Sequence, residues 1–156
     1  MYGYTIGLRM ANGWKRAARR GGAAAAMLVL GGCMMMSHAE RPAESEFGLG
    51  PRTSAGGVYE AALEPAAPLR VRRMQSVRLR VRAAGQAPVE GAAITVDGGM
   101  PEHGHGLPTT PRVTRALGDG TYQVDGVRFN MGGWWELKFR ITSAAGTDSV
   151  TFNLDL

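Results

Sequence analysis

The residues whose types and spacing could do chemistry fall in one stretch, Asp97-Gly98-Gly99-Met100-Pro101-Glu102-His103-Gly104-His105-Gly106-Leu107-Pro108. It holds two of the three histidines in the chain, with Met100 three residues before the first of them. Its four glycines and two prolines predict a shaped loop between strands, able to bring side chains to one point. A His-x-His spacing places two imidazoles on the same side of an extended backbone. Two imidazoles suit Cu(II), Zn(II) or Ni(II), and thioethers select Cu(I). Met100, His103, His105 and a second methionine would make a mixed site. Met131, at a strand end in Asn130-Met131-Gly132-Gly133, is the candidate for the second. A plainer reading accounts for the same residues: the glycines permit turns, the histidines bond loop carbonyls, and Met131 continues the inward phase of Val127 and Phe129 into the core.

No catalytic set accompanies them. His-Glu-x-x-His is absent, Glu102-His103 sits among glycines and not on a helix, and no serine lies in a nucleophile-elbow pattern. The chain is therefore expected not to be an enzyme, and no small-molecule substrate is evident. A second kind of function rests on Trp134-Trp135. Adjacent strand residues face opposite ways. Trp135 shares the phase of Leu137, so Trp134 is expected to face outward, where it is either a contact for an envelope protein partner or packed under a loop. That gives the alternative to metal binding: a metal-free adaptor docking on an envelope or membrane protein.

The elements that must position these residues read as strands. Val77, Leu79 and Val81 alternate with Arg78, Arg80 and Arg82; Trp135, Leu137, Phe139 and Ile141 alternate with Glu136, Lys138 and Arg140; Val150, Phe152 and Leu154 alternate with polar residues. Each is a half-buried strand pattern. Tyr122-Val124 and Val127-Phe129-Met131 have different phases, which predicts a bulge or tight turn at Asp125-Gly126. Further strands are expected over 58–63, 69–73, 92–97 and 112–117. Seven or eight short strands without a helix predict an all-β, immunoglobulin-like antiparallel β-sandwich, with a small barrel as the competitor. The arginines at 70, 72, 73, 78, 80 and 82 read either as a stripe for anionic lipid headgroups or as a solvated face with acids on neighbouring strands.

The N-terminus reads as a leader. Trp14-Lys15-Arg16-Ala17-Ala18-Arg19-Arg20 is basic, and Ala23–Leu30 is an apolar run of eight residues, against the roughly 20 needed to span a bilayer. Leu30-Gly31-Gly32-Cys33 resembles a bacterial lipobox. Residues 1–32 are thus expected to be a lipoprotein signal peptide, Cys33 the lipidation site, 33–57 a flexible tether and 58–156 the folded domain. Met1 and Met10 both remain as start residues, and Gly21-Gly22 does not fit a twin-arginine signal. Five of the 18 Lys and Arg precede Cys33, which leaves 13 basic residues against all 13 acidic ones. This neutral balance excludes the phosphate-neutralising surface of a nucleic-acid binder. The expected location is the cell envelope, lipid-anchored and facing the periplasm, with Met34 favouring the outer membrane.

The runs MPEHGHG (100–106) and GTYQVDGVRFNMGGWWELKFRI (120–141) resemble the YtkA-like domain family, related to FixH-like proteins. The resemblance spans about residues 58–156. Gly132-Gly133 and the doubled Trp134-Trp135 depart from the pattern. The resemblance implies an immunoglobulin-like sandwich in the envelope and, more loosely, copper handling or respiratory-oxidase assembly. It makes Met100, His103, His105 and Met131 the ligand candidates for copper, Cu(I) or Cu(II).

Overall fold

The alternating hydrophobic pattern folds as expected into two stacked antiparallel sheets. The computed structural model describes residues 39–156; the expected leader and Cys33 lie outside the described residues. The strands are β1 (Arg52–Thr53), β2 (Tyr59–Pro65), β3 (Gln75–Ala83), β4 (Ala93–Met100), β5 (His105–Gly106), β6 (Arg112–Gly118), β7 (Thr121–Val127), β8 (Trp134–Ser143) and β9 (Gly146–Asp155). Seven of the nine are seven residues or longer, in line with the seven or eight expected. One sheet has the order β1-β2-β3-β7-β6 and the other β5-β4-β8-β9. Neither sheet closes on itself, so the fold is an all-β sandwich and not a barrel.

The core lies between the sheets. Val77, Leu79, Val81 and Val124 from the first sheet meet Trp135, Leu137, Phe139 and Phe152 from the second, all essentially buried. Phe139 and Phe152 pack edge to face with ring centres 5.9 Å apart, the arrangement favoured by aromatic quadrupoles. Buried hydroxyls find partners: Tyr122 Oη donates to Val89 O at 2.7 Å, and Tyr59 Oη donates to Gly146 O. The phase shift at Asp125-Gly126 is a bulge. Gln75 pairs with Val127 but Val77 pairs with Val124, so two residues of β7 oppose Ser76 alone. Gly126, at φ +85°, supplies the left-handed residue.

Two expectations are corrected. Residues 69–73 form no strand. They make an irregular connection held by one bridge, Val71 to Phe129, and by Arg72 N–H donating to Phe129 O at 2.6 Å. The flexible tether expected over 33–57 does not hold for residues 41–57, which are laid along β9. Phe47 bridges Asn153, Gly48 N–H donates to Asn153 O, and Ala55 N–H donates to Ser149 O. Arg41 pairs with Asp155 at 2.8 Å. The physical reason is an edge: β9 ends its sheet, and its free carbonyls are satisfied by this segment rather than by water. Among the described residues no helix is long and apolar enough to cross a membrane.

Candidate metal site

Strands β4 and β5 form a hairpin whose turn is Pro101–Gly104. The turn is tight because Met100 O accepts from both His103 N–H (3.1 Å) and Gly104 N–H (2.9 Å), and Gly104 takes φ +66°. Met100 then stands opposite His105, and Gly99 opposite Gly106. The expected loop is therefore smaller than its glycine content suggested, since Asp97–Met100 still belong to β4. Glycine at 99 has a local reason: a Cβ there would sit 2.5 Å from His105 O, so any side chain would push β5 away.

The hairpin brings its two histidines together. His103 and His105 are exposed, with ring centres 5.9 Å apart and planes within 20°. Metal–N bonds of about 2.0–2.1 Å put the ring centres of two imidazoles on one ion within roughly 6–7 Å of each other. The observed spacing fits that limit. His105 also stands edge-on to Trp135, with ring centres 5.8 Å apart. Its Nδ1 lies 3.2 Å from Gly106 O. A carbonyl can only accept, so this contact selects the Nδ1–H tautomer and leaves the Nε2 lone pair free for a ligand. Among the described residues, no group of three or more His, Cys, Asp and Glu converges here. Beside the hairpin is a shallow depression of about 210 Å³, lined by Asp97, Met100, His105, Glu136 and Lys138, with Glu136 and Lys138 paired at 2.7 Å.

The methionines divide. Met100 ends β4 pointing inward and is 1 % exposed. Its methyl packs on the backbone at Gly133, where a Cβ would come within 3.1 Å. Met131 is 38 % exposed, not in the core as its phase suggested. The chain leaves the sheet after Val127, so the alternation of β7 no longer governs residue 131. The turn that carries Met131 is fixed by Trp135, whose Nε1–H donates to Met131 O at 3.0 Å. Trp135 thus touches both His105 and the Met131 turn.

Trp134 is a correction. It does point away from the core, but it is 2 % exposed and offers no free surface to a partner. Phe47 covers it edge to face, ring centres 6.5 Å apart, and its Nε1–H donates to Asn153 Oδ1 at 3.0 Å. Phe47 is the residue that sequence reasoning missed. A large aromatic in an otherwise small and polar stretch was the available signal.

The arginines also divide. Arg78 and Arg82 on β3 stand opposite Glu64 and Glu60 on β2, and Arg80 pairs with Glu64 at 2.5 Å, so this face carries its own acids. The carboxylates with displaced pKa values lie away from the histidines. Asp125 is lowered to about 2 by hydrogen bonds from Gln123, Ser76 and Thr114. Asp148 is lowered by the Ser54 hydroxyl, and by the N–H groups of Ser149, Val58 and Gly56.

A family model agrees with the YtkA-like part of the motif resemblance. No curated protein matches the chain. Among solved structures, the ZirS C-terminal domain is similar over 99% of this chain and 97% of that one, at 15% identity and a TM-score of 0.38. The family model described as YtkA-like matches residues 53–140, more than half of the chain and including both the histidine hairpin and the Trp134-Trp135 strand. The chain belongs to the YtkA-like family.

Proposed function

We propose that this is a lipid-anchored envelope protein whose β4–β5 hairpin binds a copper ion through His103 and His105. The observation that carries the reading is the pairing of the two exposed imidazoles, 5.9 Å apart, at the tip of a hairpin whose strands approach too closely at Gly99 to admit a side chain. The Nδ1 contact of His105 leaves one nitrogen of that ring available. Two imidazoles favour Cu(II) over Cu(I). Met131, exposed on the neighbouring turn, is the thioether within the family motif that a surface ion could recruit, whereas Met100 has its side chain committed to the core. The remaining positions fall to water or to a recipient protein, an open arrangement that suits delivery better than storage. The reading assigns the chain no catalysis. The adaptor alternative loses its main support, because Trp134 is covered by Phe47.

The test is spectroscopic. Cu(II) added to the protein should give an electron paramagnetic resonance spectrum with two-nitrogen superhyperfine structure. His105→Ala should remove one nitrogen, and the double change with His103→Ala should remove both while the circular dichroism of the sandwich is unchanged. A nitrogen pattern that survives the double change would end the proposal.

A further inference from the structure

The ends of seven strands fix one pole of the sandwich. β2 and β7 finish there and β3 and β6 start there in one sheet, β4 and β9 finish there and β8 starts there in the other, as the registers Pro65–Val77, Gln75–Val127, Arg112–Asp125, Gly99–Glu136 and Trp134–Asp155 give for each sheet, and the 5.2 Å contact of the Phe129 and Trp135 rings joins the two sets of ends. The histidine hairpin is at this pole. So is the place where the N-terminal segment reaches the domain, since Arg41 pairs with Asp155 at the last residue of β9. Cys33 is eight residues before Arg41. At about 3.3–3.6 Å per residue, a fully extended link of that length spans at most roughly 30 Å.

The same pole collects what a bilayer surface attracts. Four large apolar side chains are markedly exposed among the described residues, and three of them, Leu49, Met74 and Met131, are here; Leu117 is at the opposite pole. Arg70, Arg72 and Arg73 lie in the β2–β3 connection, and Arg128 lies beside them, because Val71 bridges Phe129 and Arg72 N–H donates to Phe129 O. All four are exposed, and among the described residues none is in an ion pair. Arg72 holds φ +62°, a conformation that costs a non-glycine residue and that turns the connection back along residues 128–130. On β3, by contrast, Arg78 and Arg82 face acids across the register and Arg80 pairs with one. The two groups of arginines therefore differ in their surroundings: those on β3 stand beside Glu60 and Glu64 of the neighbouring strand, and those at the pole have no ion-pair partner among the described residues.

We propose that this pole docks on an anionic lipid surface, with Arg70, Arg72, Arg73 and Arg128 on the headgroups and Met74 at the interface. The inference rests on the lipid-anchor part of the proposed function and deepens it. A short link holds the pole near the bilayer, and the arginines then orient the domain so that the histidine hairpin faces the membrane. Each arginine near an anionic surface adds a few-fold preference, so four together multiply it on the order of a hundredfold or more, and salt screens the effect over a Debye length of about 10 Å at 0.1 M.

The test uses the full chain, purified from bacterial membranes and reconstituted in phosphatidylcholine vesicles with or without phosphatidylglycerol. A fluorophore is attached at Met74→Cys or, at the opposite pole, at Leu117→Cys, and quenching by a nitroxide-headgroup lipid is measured. Quenching at position 74 should exceed that at 117 several-fold in phosphatidylglycerol vesicles. It should fall to the level at 117 in 0.5 M salt, or when Arg70, Arg72, Arg73 and Arg128 are all changed to Gln. Equal quenching at the two positions, or quenching at 74 unaltered by the Gln changes in a chain with unchanged circular dichroism, would overturn the proposal. The anchor is read separately by thiol labelling of the parent chain, whose one cysteine is Cys33. Uptake of label there means that the anchor reading has failed, and the two poles are then compared with Cys33→Ser as the background.

Discussion

Phe47 lies edge-on over Trp134, with ring centres 6.5 Å apart and planes at 64°. The contact ties a segment far from β8 in sequence to the outer face of the second sheet. Arg41 caps the assembly, with its guanidinium 4.6 Å from the centre of the Phe47 ring and 2.8 Å from Asp155. Removing the ring with Phe47→Ala should uncover Trp134. The expected stability loss is about 1–2 kcal/mol, less than the ~3–5 kcal/mol of a fully buried Phe, because Phe47 is only half-buried. Urea unfolding would measure the loss. Acrylamide quenching and a red shift of tryptophan emission would report the exposure.

Asp148 ties the same N-terminal segment to β9 from the other side. It accepts from Ser54 Oγ at 2.6 Å and from Gly56 N–H at 2.9 Å. Asp148 and Asp125 both have pKa values below the ordinary 3.8, Asp125 at about 2. A carboxyl whose folded pKa is depressed stabilises the fold fully above its unfolded pKa, and loses that contribution as pH falls through the folded value. Stability should therefore be flat above about pH 4 and decline between about pH 4 and pH 2. Asp125→Asn should be less stable at pH 7 and should show a shallower decline in that window. Urea midpoints taken across pH 2–7 for both chains would show it.

The strands were legible in the sequence because one face of each is buried and the other wet, and period-two alternation survives in that setting. Val77–Val81, Trp135–Ile141 and the bulge at Asp125-Gly126 were read for this reason. The candidate site was legible only in part. His-x-His gave the histidine pair, since its geometry is local. The fate of the methionines was not local. Met100 follows Ile94, Val96 and Gly98 in phase and so turns inward, a pattern that the glycines obscured. Met131 was assigned by extending an alternation past the point where the chain leaves its sheet. For Trp134 the outward phase was right, but outward meant exposed only if nothing lay on that face. The cover comes from Phe47, a contact that no periodicity encodes.

The close approach of β5 to Gly99 gives a direct handle on the site. Gly99→Ala places a methyl against His105 O. Relief requires β5 to move out, which separates His105 from Trp135 and from His103. The substitution should cost about 1–3 kcal/mol, as overpacking does. It should also weaken copper binding without removing either histidine. A copper titration of Gly99→Ala beside the parent chain checks this; equal affinities would show that the hairpin register does not set the site.

The central claim is that His103 and His105 together hold one copper ion. The measurement that tests it most directly is an isothermal titration of the protein with Cu(II), then with Cu(I) under reductant, on the parent chain and on the chain carrying both His103→Ala and His105→Ala. The expected result is one Cu(II) per parent chain, weaker binding of Cu(I), and loss of binding in the doubly changed chain at unchanged thermal stability. Copper binding of the same stoichiometry and affinity in both chains, or no binding in the parent, would contradict it.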